Sequence, residues 1–134
     1  MRQIQDSAKD NGIAVALGFS ERDGESIYIA QALIAADGKL AMKRRKLKPT
    51  SIEQSVFGSA GADCLSKLVT VSDGDVQAKV GQLNCWEHVQ PLLKFYTFSQ
   101  GEQIHVAAWP PLTDFSPNVP ALWSMRASGK LFTP

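Results

Sequence analysis

The chain has 134 residues, 44% of them hydrophobic and 20% charged, with a formal net charge of +1. That size suits one domain with a real core, no apolar run reaches the roughly 18–20 residues of a membrane span, and this hydrophobicity with so little charge argues against disorder. The charge makes no case for a nucleic-acid surface. The polar opening Met1–Asp6 has no secretory apolar stretch behind it, and Cys64 and Cys85 cannot build a disulfide framework, so the expectation is a globular, cytoplasmic protein.

Residues 1–11 read as a short polar helix with Ile4 and Ala8 on one face and Gly12 at its C′ position. The nearly continuous apolar run Ile13–Phe19 predicts a strand buried on both faces. A polar turn over 20–25 and a second strand over 27–34 follow. Asp37-Gly38 predicts a tight turn, from which 39–42 returns antiparallel. A basic run, Lys43 to Lys48, is closed by Pro49-Thr50, and a loop rich in Ser, Gly and Ala covers 50–66. Leu68–Val71 and Val76–Val80 flank Ser72-Asp73-Gly74-Asp75, the clearest hairpin signal, and the second of these strands runs on to Cys85.

From His88 the period changes. Val89, Leu92, Leu93 and Tyr96 fall at i, i+3, i+4 and i+7, the stripe of an amphipathic helix, with Pro91 tolerated in its first turn and Gly101 as its stop. Ile104–Trp109 is again strand-like, so 76–109 spells strand–helix–strand with parallel strands. Residues 110–134 hold five of the seven prolines and no periodic element. Apolar parallel strands need a layer on each face. One helix and a helix fragment cannot supply both, and the expectation is that a partner chain or further sequence does.

Cys85 is the first candidate for chemistry. It ends a strand ahead of a helix, where open α/β sheets collect ligands and where backbone N–H groups favour a thiolate. The competing reading is a small buried hydrophobe, against which stand the polar neighbours in Asn84-Cys85-Trp86-Glu87-His88. Cys64, in its loop, reads as inert. Cys85 and His88 have a CxxH spacing but lack a second ligand pair, which makes zinc a poor reading. His88 is either a general base beside Cys85 or a helix-start residue satisfying backbone donors; His105, mid-strand, reads as structural. The Lys43–Lys48 cluster is a solvated face, a nucleic-acid patch short of charge, or the source of a lysine that stabilises an oxyanion. A buried Lys46 needs a carboxylate partner, and Glu53 is seven residues on.

Three segments together resemble one family. Arg45-Lys46-Leu47-Lys48-Pro49-Thr50, with Glu53 and Val56-Phe57-Gly58, is similar to the lysine motif of the nitrilase branch of the carbon–nitrogen hydrolase superfamily. Gly81–His88 with Gln90-Pro91-Leu92 resembles its cysteine motif, and Trp109-Pro110 the segment that follows. The likeness covers about residues 11–111, with 112–134 a divergent, Pro-rich tail. The CWEH form points to nitrile-acting members, cyanide-degrading (cyanide hydratase-like) ones included.

The resemblance implies an α/β fold, part of a four-layer αββα sandwich incomplete at both ends, so that 1–134 is a single partial domain. It implies Cys85 as nucleophile, Lys46 as oxyanion stabiliser and Glu53 as a second carboxylate. Trp86 would have its N–H near the forming intermediate, with Glu87 and His88 beside it on the substrate side. The implied reaction takes a small nitrile through a cysteine thioimidate and thioester to a carboxylic acid and ammonia, with no metal or organic cofactor. Homo-oligomers are implied, and neither nucleic acid nor membrane is an implied partner.

The family's general-base glutamate has no counterpart before Lys46, since Glu21 and Glu25 fall in a predicted turn, and impaired turnover follows as an expectation. The alternative is a non-catalytic, truncated chain that self-associates or binds partners through exposed apolar sheet.

Overall fold

A computed structural model of the protein describes residues 1–73 and 75–108. Gly74, within the turn the sequence predicts, Trp109 and the Pro-rich stretch 110–134 lie outside the described residues. Helix α1 (Arg2–Asn11) ends on Gly12 in the left-handed conformation, φ 63°, whose N–H meets the carbonyls of Ala8 and Lys9, as the sequence predicts. Strands β1 (Val15–Asp23), β2 (Ser26–Ile34) and β3 (Leu40–Arg45) follow. They form an antiparallel sheet in the order β1-β2-β3. A second sheet, in the order β4-β5-β6, joins β4 (Val69–Asp73) antiparallel to β5 (Val76–Asn84), and β5 parallel to β6 (Ile104–Ala108). Helix α2 (Pro91–Ser99) bridges β5 and β6, completing the expected strand–helix–strand unit.

The central strands carry the core. Ala30, Ala32, Leu33 and Ile34 of β2 and Val80 and Leu83 of β5 are buried. Gln31 is buried with them, its amide donating to the Leu83 carbonyl at 3.3 Å and so tying β2 to β5. Strand β1, expected to be buried on both faces, alternates between half-buried and exposed residues, because it is an edge strand while β2 lies inside. The polar stretch Ser20–Asp23 is strand and not turn. Glu21 extends the ladder by receiving Arg45 and Lys43 from the far side of β2, and Arg45 also stacks over the Tyr28 ring between them, 4.1 Å from its centroid. The turn itself is Gly24-Glu25, between the paired Asp23 and Ser26, with Gly24 at the positive φ such a short turn requires.

The expected helix from His88 starts later. Residues Cys85–Val89 form a 3-10 turn, and α2 begins only at Pro91. Pro91 has no N–H to continue a helix and holds Gln90 extended, at φ −89° and ψ 101°. Nor does the apolar stripe face inward as a unit. Thr97 is buried, whereas Leu92 is 82% and Phe95 71% exposed. The roll of α2 is set at its end by Gln100, whose amide donates to the Ser66 carbonyl and whose side-chain oxygen accepts from the Leu68 N–H.

Candidate active site

The basic run divides between two faces of β3 and the loop after it. Arg45 points to the Glu21 side, while Arg44 and Lys46 point inward and are 2% and 1% exposed. Lys46 follows the end of β3, and its N–H donates to the Ile29 carbonyl of β2 at 2.7 Å. Its ammonium donates to Glu53 Oε2 at 2.6 Å and to Thr50 Oγ1 at 3.4 Å. A buried ammonium survives only with such partners. Glu53 begins its own 3-10 turn, Glu53–Ser55, and also accepts the Thr50 N–H at 2.6 Å. Burial works against ionisation of Glu53, but the Lys46 and Thr50 bonds outweigh it and hold its carboxyl below the ordinary value.

Cys85 sits at the end of β5, half-buried, with φ 46°. A non-glycine residue in this left-handed region costs roughly 1–3 kcal/mol and persists only where the surroundings enforce it. They do so here through a capping box. Asn84 caps the turn with its side chain, and the Glu87 carboxylate reaches back to accept the Asn84 N–H at 2.8 Å. Glu87 is 3% exposed and saturated: Arg44 donates to both of its oxygens, at 2.7 and 2.8 Å, and the Leu47 N–H donates at 3.0 Å. Burial pushes its carboxyl up, and the Arg44 and backbone bonds outweigh this and bring it below the usual range. Arg44 also donates to Gln31 Oε1 and to the Cys64 carbonyl. One buried ion pair therefore ties the residue two before Lys46 to the residue two after Cys85.

A strand-end thiolate is not what these surroundings favour. Burial pushes the Cys85 thiol up, and the Lys46 charge and the Trp86 main-chain N–H offset this only in part; Glu53 and Glu87 push the same way as burial. The resting sulfur is a thiol that a base must deprotonate. His88 turns both ring nitrogens to other groups. Its Nδ1 lies 2.6 Å from the Cys85 carbonyl oxygen and its Nε2 2.9 Å from His105 Nε2, so it serves a backbone acceptor and not the backbone donors expected. Of the three residues placed on the substrate side, Trp86 is 44% exposed, while Glu87 and His88 are buried. Trp86 lines a cleft of about 380 Å³ with Leu47, Lys48, Gln90, Pro91 and Leu93; Lys46 and Cys85 are not among its lining residues.

The sequence model of the carbon–nitrogen hydrolase family matches residues 1–129. The chain belongs to the carbon–nitrogen hydrolases. Curated relatives place it in the nitrilase branch: it is 51% identical over 129 residues to an arylacetonitrilase of Aspergillus niger and 55% identical over 132 residues to one of Macrophomina phaseolina. These alignments cover 96% and 95% of this chain and 38% of each relative, so the chain spans about two-fifths of their length. Among solved structures, it superposes on a carbon–nitrogen hydrolase from Helicobacter pylori with a TM-score of 0.72 at 15% identity, over 96% of this chain and 44% of that one. An amidase of the nitrilase superfamily from Nesterenkonia gives 0.70 at 18%, over 96% and 48%. The mixed α/β fold is thus that of the nitrilase superfamily.

The expectation that a buried Lys46 takes Glu53 as its partner holds, whereas sequence reasoning missed the Arg44–Glu87 pair between the two strand ends. The signal was legible in part: Asn84-Cys85-Trp86-Glu87 has the N-cap-x-x-Glu spacing of a capping box, which marks Glu87 as a backbone partner. Nothing in the basic run distinguished Arg44 from its neighbours except its position, two residues from Lys46 on the same face of the strand.

Proposed function

We propose that this chain carries the nucleophile and the cationic half of a nitrile-hydrolysing centre. The observation that carries the reading is the buried Arg44–Glu87 pair, which joins the strand end bearing the buried Lys46 ammonium to the strand end bearing the Cys85 thiol. In the proposed reaction the Cys85 sulfur, losing its proton to a base, adds to the nitrile carbon, and the nitrogen takes up a proton to give a thioimidate. Water adds, and the carbon–nitrogen bond breaks as ammonia leaves. A second water then cleaves the resulting thioester to the carboxylic acid and restores the thiol. Lys46 and the Trp86 N–H stabilise the charge that develops at each addition. Trp86 faces the substrate, while Glu87 and His88 hold the turn beneath it.

Turnover is proposed to be impaired. Glu53 is committed to Lys46 and Thr50, Glu21 to Arg45 and Lys43, and Glu25 sits in the hairpin turn, so no carboxylate among the described residues is positioned to relay the thiol's proton. The names of the relatives put arylacetonitriles first among substrates to try, with aliphatic nitriles and cyanide as the wider panel. Ammonia release that Cys85→Ala and Lys46→Gln each abolish is the expected outcome. Release unchanged in Cys85→Ala would remove the reading. A second reading, a non-catalytic chain that self-associates, is favoured by the exposed Leu92 and Phe95 of α2. It predicts concentration-dependent sedimentation with no ammonia from any nitrile.

A further inference from the structure

The cysteine turn, the loop after α2 and β6 bring two imidazoles and a carboxylate into line. His88 Nδ1 meets the Cys85 carbonyl, His88 Nε2 meets His105 Nε2, and His105 Nδ1 lies 2.8 Å from Glu102 Oε1. All three side chains are at most 9% exposed. The two rings stand edge to face with centroids 5.1 Å apart, and the Phe98 ring packs against His105 at 5.8 Å.

The chemistry of the partners orders the protons. A carbonyl only accepts, so His88 Nδ1 carries its hydrogen. Burial first, together with the charges of His105 and Lys94 and against the pull of the Cys85 carbonyl and Glu87, holds His88 down to about 4. It is therefore neutral at neutral pH, its Nε2 accepts, and His105 Nε2 must donate. The His105 Nδ1–Glu102 contact closes the chain at 2.8 Å. From His105 to the Cys85 carbonyl both bonds point the same way, toward the main chain of the nucleophile.

Gly81 is built for this arrangement. It pairs with His105 across the parallel ladder, and a Cβ there would collide with Glu102 Oε1 and stand 2.8 Å from Leu68 Cδ2. The missing side chain is the socket for the carboxylate.

The Cys85 carbonyl and the Trp86 N–H belong to one rigid peptide plane and point in opposite directions. Fixing the first fixes the direction of the second, and the Trp86 N–H is among the groups that favour the Cys85 thiolate. We propose that Glu102, His105 and His88 are positioning residues that lock the Cys85–Trp86 peptide and so aim the N–H that stabilises the reacting sulfur and its intermediates. The inference rests on the proposed reading of Cys85 as nucleophile.

The test uses the whole chain and readouts that need no turnover. Alkylation of Cys85 by iodoacetamide, followed by mass spectrometry, should slow by about fivefold in Glu102→Leu and in His105→Phe, the effect of one net hydrogen bond. The Trp86 amide resonance should move with it. Glu102→Gln and His88→Asn, whose amides can keep the same bonds, should restore both readouts, which a merely space-filling role would not require. Wild-type rate and an unmoved Trp86 amide in the folded Leu and Phe variants would overturn the proposal. Should those variants not fold, the imidazole nitrogen shifts of the wild-type chain decide: His88 protonated on Nδ1 and His105 on Nε2 is expected, and His88 protonated on Nε2 instead would overturn it. A wild-type chain that hydrolyses no nitrile counts against the hydrolase reading alone.

Discussion

Glu87 shows how much a single side chain can be asked to do. It caps the cysteine turn, neutralises a buried guanidinium and accepts a backbone N–H from the loop beyond β3. Removing one member of such a pair leaves the other charged and stranded away from water. Glu87→Gln should therefore lower the unfolding free energy by about 3–5 kcal/mol in a urea titration. His88 gives a pH signature. Its folded value of about 4 lies below its ordinary 6.5, so between the two the unfolded chain binds a proton that the folded chain refuses. Stability is full above that window and declines as pH falls through it. His88→Asn should flatten the decline, which urea midpoints at about pH 5 and about pH 7 would reveal. The sequence placed His88 beside Cys85 correctly but not its role, because a three-residue spacing does not say whether an imidazole meets the sulfur or the carbonyl.

At the scale of elements, the docking of α1 depends on one turn. The Gln5 amide donates to the Gly38 carbonyl at 3.0 Å, and Gly38 has φ 80° with the Gln5 carbonyl only 2.6 Å from where a Cβ would stand. Gly38→Ala should cost at least about 1–2 kcal/mol through left-handed strain alone, measurable as a lowered urea midpoint. Asp37-Gly38 announces its turn because so few residues adopt the geometry it needs, with Gly38 at φ 80°. The boundary between Cys85 and α2 was less legible. Pro91 was read as a tolerated first-turn residue within a helix running from His88, whereas its missing N–H separates two elements. The extension of β1 through Ser20–Asp23 was hidden for another reason: polar composition reads as turn unless the opposing charges, Lys43 and Arg45 two strands away, are known to be there.

Across the whole molecule, exposed apolar side chains run from Ile13 to Ile104, and α2 carries two of the most exposed. Leu92, Phe95 and Ile104 are each at least half exposed, in keeping with the reading that the parallel strands call for a layer this chain does not supply. No helix among the described residues is long and apolar enough to cross a membrane. Self-association through α2 is the proposal that follows. Leu92→Glu with Phe95→Glu should weaken it by at least about tenfold, some 1.4 kcal/mol, in sedimentation across a concentration series. Periodicity identified the stripe, but whether a stripe faces its own sheet or outward depends on roll, and here Gln100 sets the roll through partners at Ser66 and Leu68 that no local pattern shows.

The Arg44–Glu87 pair has a consequence for anyone who would move this chemistry elsewhere. The spacing of amine and thiol is not a property of those two residues, since a cross-brace between their neighbours fixes it. A transplant of Cys85, Lys46 and Glu53 onto another scaffold would carry the reagents without the jig. The portable unit includes the brace and the polar cap at Asn84, and a graft lacking them should hold an inert thiol.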